Sequence, residues 1–122
     1  MQNLLTKRWF HGDITLNESQ TRLAGTDPGS YLIRFSSNPG QYALSKMIEN
    51  HNKERVIVHI RISHSPGGKY SFVLDGKVYE YDNLEELVKS PVLGLAKPCQ
   101  GSKYYAQFRI KQVHSGYVNT VN

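Results

Sequence analysis

The sequence predicts an α+β domain: a mostly antiparallel sheet with a helix on each side. Three observations carry this expectation. A capping box opens a helix early in the chain, a run of short alternating strands follows, and a second acidic-led apolar stripe closes the run. The chain has 122 residues and a mass of 13.9 kDa, a length that suits one domain.

In the first element, Thr15-Leu16-Asn17-Glu18 has the spacing at which a threonine hydroxyl and a glutamate cap a helix reciprocally. That helix is expected to run to about Ala24, with Gly25 as its stop. The period then changes. Residues 30–36, 41–48 and 55–63 read as strands separated by Asn-Pro-Gly and polar loops. In the third of these, Val56, Val58, Ile60 and Ile62 face one way and Ile57, His59, Arg61 and Ser63 the other. Residues 69–74 and 77–81 form a hairpin across Asp75-Gly76, a two-residue turn whose backbone twist matches the flanking strands. Asp82 is the expected N-cap of the second helix, Glu85 and Glu86 fit its first turn, and Leu84, Leu87 and Val88 form its apolar stripe. Ser90-Pro91 ends it, and the stretch to Cys99 reads as irregular. Beyond it, Tyr104, Ala106, Phe108 and Ile110 alternate with Tyr105, Gln107, Arg109 and Lys111 as a further strand would.

Composition narrows the function classes. Apolar residues make up 39% and charged residues 20%, a balance that supports a packed core. No apolar run is long enough to span a bilayer, so no membrane role is expected. The single cysteine, Cys99, excludes an internal disulfide and a cysteine zinc cluster, fits a reducing compartment, and leads to the expectation of a cytoplasmic protein without cofactors. The net charge is +5, unevenly placed: residues 51–74 are basic and 75–99 acidic. That pattern fits an anionic group held at one point as well as it fits a polyanion.

One residue in the strand of residues 30–36 needs an explanation. Leu32 and Ile33 are consecutive, so the strand is apolar on both faces and should be covered on both. Arg34 follows and shares the face of Leu32. A guanidinium there cannot neutralise itself by losing a proton, so it calls for an anion. Ser36 lies on the same face, and Ser37, Asn38 and Gly40 form a turn rich in hydroxyl, amide and backbone N–H donors of the kind that hold phosphate oxygens. Ala43 and Ser45 on the next strand leave room for a flat ring, and His59 and Arg61 add a wall. A phosphate on a long aromatic stem fits such a hole; phosphoserine is too short to reach its floor.

These residues also carry a resemblance. Trp9-Phe10-His11-Gly12-Asp13-Ile14, Gly29-Ser30-Tyr31-Leu32-Ile33-Arg34-Phe35-Ser36, Gly40-Gln41-Tyr42-Ala43-Leu44-Ser45, Val58-His59-Ile60-Arg61-Ile62, Leu84-Glu85-Glu86-Leu87-Val88 and Leu95-Ala96-Lys97-Pro98-Cys99 resemble, in order, the sequence landmarks of Src-homology-2 (SH2) domains. Phe35 in place of glutamate looks more like the transcription-activator (STAT) or protist branch than Src-type kinases. The resemblance implies a domain over residues 9–99, with 1–8 as lead-in and 100–122 as a basic tail that could add a strand. It implies that Arg34 grips a phosphotyrosine, that Ser36, Ser37 and Asn38 hold its phosphate, that Ala43, Ser45, His59 and Arg61 line the pocket, and that Ile60 meets the residues that follow. Many members carry a second arginine where this chain has Leu16, which puts more of the grip on Arg34. Residues 89–94 are short where a loop often walls a second pocket. The expected partners are tyrosine-phosphorylated proteins or peptides, bound by a monomer in which the tail could exchange between protomers. Tyr117-Val118-Asn119 would be a short adaptor-type motif if phosphorylated.

Two rival classes remain. A single-stranded nucleic-acid binder is suggested by the pI near 9.4 and the 11% aromatic content, and it predicts binding that needs no phosphotyrosine. A thiolate phosphatase would need an arginine shortly after its cysteine, and Lys97-Pro98-Cys99-Gln100-Gly101 has none, so an enzyme is not expected. His11, His51, His64 and His114 are scattered and show no metal-ligand spacing.

Overall fold

Alternating strands and two capped helices assemble as the pattern requires. The computed structural model describes Leu4 and residues 7–99. The elements are β1 (Phe10–Gly12), α1 (Leu16–Leu23), β2 (Ser30–Phe35), β3 (Tyr42–Glu49), β4 (Arg55–His64), β5 (Tyr70–Leu74), β6 (Lys77–Tyr81), α2 (Leu84–Val88), a 3₁₀ turn (Pro91–Leu93) and β7 (Lys97–Pro98). The sheet runs β1-β2-β3-β4-β5-β6, with β7 beside β2. The pairs from β2 to β6 are antiparallel, and β5–β6 closes across Asp75-Gly76 as predicted. The fold is α+β, a central sheet between two helices.

Two strands exceed the expectation. β1 and β7 both lie parallel to β2 and share its outer edge: β1 pairs at Ile33 and Arg34, β7 at Ser30 and Tyr31. Each is three residues or fewer, too short to show a period. β7 approaches closely because Gly29 leaves space: a Cβ there would sit 2.7 Å from that of Ala96, and Gly29 adopts a φ of +97°. The second helix also starts differently. Asn83, not Asp82, is the N-cap, and its side chain accepts from the Glu86 N–H at 2.8 Å. Asp82 pairs with Lys69 instead. The alternating residues 104–111 and Tyr117 lie outside the described residues.

The sheet is covered on both faces, as consecutive Leu32 and Ile33 demand. Ile33 joins Trp9, Phe10, Tyr31, Leu44, Ile62, Phe72, Leu84, Leu87 and Leu93 on the α2 side. Leu32 joins Ile14, Leu23 and Cys99 on the α1 side, with Ile57 against them. The α1 cluster is the smaller one because much of that face is given to polar side chains. Among the described residues, no helix is long and apolar enough to cross a membrane.

Candidate functional site

α1 begins where it does because both bonds of its N-terminal capping box are made. The Glu18 N–H donates to Thr15 Oγ1 at 3.0 Å and the Thr15 N–H to Glu18 Oε1 at 3.2 Å. That first turn stands over the C-terminal end of β2, and a cleft of about 500 Å³ opens between them. Asp13, Thr15 and Leu16 line one side, Ser36 and Ser37 another, and His59, Ile60 and Arg61 of β4 a third.

Arg34 lies at the bottom of this cleft. It is 6% exposed, and burial lowers its pKa from the ordinary guanidinium value. No carboxylate comes within ion-pair distance of it among the described residues. Its contacts are neutral. The Nε–H donates to Ser45 Oγ at 3.2 Å, and Nη2 lies 3.4 Å from His59 Nδ1. Ser45 Oγ is 2.8 Å from the same His59 nitrogen and 3.4 Å from Ser19 Oγ, which in turn donates to the Leu16 carbonyl at 2.6 Å. Gln20 reaches the other ring nitrogen of His59 at 3.3 Å. Desolvation, and then the charge of Arg34, hold the His59 pKa below the usual imidazole value. A neutral ring can accept at Nδ1 from the arginine. The network holds the guanidinium in place and leaves its charge uncompensated.

The predicted residues thus divide into two tiers. Arg34, Ser36, Ser37, Ala43, His59, Ile60 and Arg61 border the cleft. Ser45 is fully buried beneath it and orients Arg34. Asn38 sits in the turn rather than on the lining. Its N–H donates to Ser36 Oγ at 3.1 Å, and its carbonyl accepts from the Gln41 N–H. Gly40, at a φ of +80°, lets the chain reverse there. Ile60 also packs its side chain toward the α2-side core.

Other residues join the site that the sequence reading did not assign to it. Ser19 and Gln20 follow Leu16 at helical i+3 and i+4 spacing, the signal by which they could have been found. Asp13 reaches the lining from the turn between β1 and α1. A separate polar contact lies behind α1. His11, read as one of the scattered histidines, is fully buried between Arg22 Nη1, 2.8 Å from its Nδ1, and the Cys99 carbonyl, 3.2 Å from its Nε2. Desolvation is the largest cause lowering its pKa to about 4.

A buried, acid-free arginine at the floor of a donor-rimmed cleft, on a sheet between two helices, defines an anion-recognition module. Residues 9–90 match the family model described as SH2 domain. The chain is 37% identical over 122 residues to the dual specificity protein kinase shkA of Dictyostelium discoideum, covering 98% of this chain and 21% of that protein. It is 32% identical over 92 residues to suppressor of cytokine signaling 6 of Mus musculus, covering 75% of this chain and 16% of that protein. The solution structure of an SH2 domain from a Monosiga brevicollis CRK/CRKL homolog superposes with a TM-score of 0.63 at 24% identity, over 78% of this chain and 88% of that one. The chain therefore belongs to the SH2 domain family, a family of phosphotyrosine-binding modules used in signalling. It spans about a fifth of the length of the shkA kinase.

Proposed function

We propose that Arg34 grips the phosphate of a tyrosine-phosphorylated partner and so recruits the protein that carries this domain. The observation that carries this reading is the burial of Arg34 without a carboxylate. A cation kept so costs stability, and a dianionic ligand offsets that cost. Ser36 and Ser37, with the turn that Asn38 closes, supply donors to the phosphate oxygens. Ala43 leaves room for the phenol ring, Ser45 and His59 orient the guanidinium, and Arg61 packs along the ring from β4. Ile60 meets the residues that follow the phosphotyrosine. The domain of residues 9–99 binds and does not catalyse, works as a monomer, and acts in the cytoplasm, where a lone cysteine stays reduced. Its ligand is a phosphorylated protein segment rather than a nucleic acid or a membrane.

Fluorescence-anisotropy titration tests this with a mixed phosphotyrosine peptide pool, its unphosphorylated counterpart and Arg34→Ala. Saturable binding is expected only with the phosphorylated pool. Arg34→Ala should weaken it by about 2–5 kcal/mol, the cost of leaving a desolvated charge unpaired. Equal binding to both pools, or affinity for an oligonucleotide that survives Arg34→Ala, would overturn the proposal.

A further inference from the structure

The cleft is electrically lopsided. Its floor and its β4 wall carry Arg34 and Arg61, whereas the wall beneath α1 carries Asp13 and the apolar Leu16. Asp13 is exposed and forms no ion pair or side-chain hydrogen bond among the described residues. Leu16, 45% exposed beside it, brings no cation to neutralise it. A carboxylate facing a phosphate pocket opposes the ligand unless the ligand brings a positive charge to that side. The Asp13 charge is not needed to cap the helix, because the Thr15–Glu18 pair already satisfies the first turn of α1.

We propose that Asp13 is a specificity-determining residue that favours a lysine or arginine one or two positions before the phosphotyrosine. The inference rests on the phosphate site proposed above, in which the residues after the phosphotyrosine leave past Ile60 on β4. An extended peptide that leaves on that side enters from the other, under the start of α1. Successive residues advance about 3.3 Å, so a long basic side chain at either of the two preceding positions can reach the Asp13 carboxylate while the phosphate stays on Arg34. The pairing lies at the open rim, so it acts on partner choice more than on total affinity.

The test compares phosphotyrosine peptides carrying lysine or glutamate at each of the two preceding positions, titrated into wild type, Asp13→Asn and Asp13→Lys. Wild type should favour lysine over glutamate by about threefold to tenfold at low salt, as an exposed charge contact allows. The ratio should shrink at high salt, where surface charges are screened. Asp13→Asn should bring it close to one and Asp13→Lys should invert it. A merely structural role for Asp13 would weaken all peptides alike and leave the ratio unchanged. A wild-type ratio of one, a ratio that survives in Asp13→Asn, or a preference that appears only after the phosphotyrosine would overturn the inference. If binding still needs phosphate and Arg34, that failure touches Asp13 alone. Binding that needs neither would overturn the phosphate site as well.

Discussion

On the α2 side of the sheet, Trp9, Phe10, Tyr31, Ile33, Leu44, Ile62, Phe72, Leu84, Leu87 and Leu93 form one continuous apolar cluster. On the α1 side, the smaller cluster of Ile14, Leu23, Leu32 and Cys99 shares the surface with buried His11, Ser19, Arg34 and Ser45. The same strands serve both faces, and alternate residues of β2 divide between them. The difference shows how a domain of this size separates stability from recognition. Each large side chain buried on the α2 side contributes about 1.5–3 kcal/mol. That surplus allows the α1 side to hold an uncompensated guanidinium ready for an anion.

Breaking the apolar side should have the largest effect. Leu84→Ala, at a fully buried position, should destabilise the fold by about 2–5 kcal/mol in denaturant titration. Phosphopeptide affinity measured well below the unfolding midpoint should stay near wild type, and a large loss there would mean that the two sides are coupled.

Acid should act on the polar side. The His11 pKa of about 4 lies below its ordinary 6.5, so the folded protein disfavours the protonated ring and the unfolded chain does not. The stability from this group is complete above pH 6.5 and is lost as pH falls through 6.5 toward 4. The total is on the order of 3 kcal/mol. His11→Gln should flatten that part of the stability–pH curve, and an unchanged slope would show that His11 is not its source.

The helix caps offer the finest comparison. Thr15→Ala and Asn83→Ala should each cost about 1 kcal/mol of stability, since each removes one cap bond. Only Thr15→Ala should also weaken phosphopeptide binding, because only the first turn of α1 borders the cleft. Equal losses of affinity in both variants would erase the distinction between the two sides.

Most of this division could be read from the sequence. Leu32 and Ile33 showed that both faces are covered, and Arg34 with Ser36 marked the side that carries the cleft. The five longer strands and both helices showed their periods or caps. β1 and β7 show no period because they have only three and two residues, and Asp82 and Asn83 compete for the cap because aspartate and asparagine are equally good there. The roles of Ser19, Gln20 and His11 depend on which side chains the fold brings together across the chain. His59 and Gln20 are 39 residues apart, and His11 and Cys99 are 88 apart. Helical spacing puts Ser19 and Gln20 on the face of Leu16, but local pattern is silent on the partners they meet across the sheet.

The placement of β1 and β7 along one edge of β2 has a consequence for architecture. The described domain takes in its chain and lets it out on the same side, beside the same strand. Such a unit can be spliced into a surface loop of another domain, because its two ends need not be drawn apart. Joining residue 99 to residue 7 by a short linker and cutting the chain anew in the turn at Asp75-Gly76 would give a rearranged protein with the same sheet. Portability of this kind lets a recognition unit be moved between larger proteins without being redesigned.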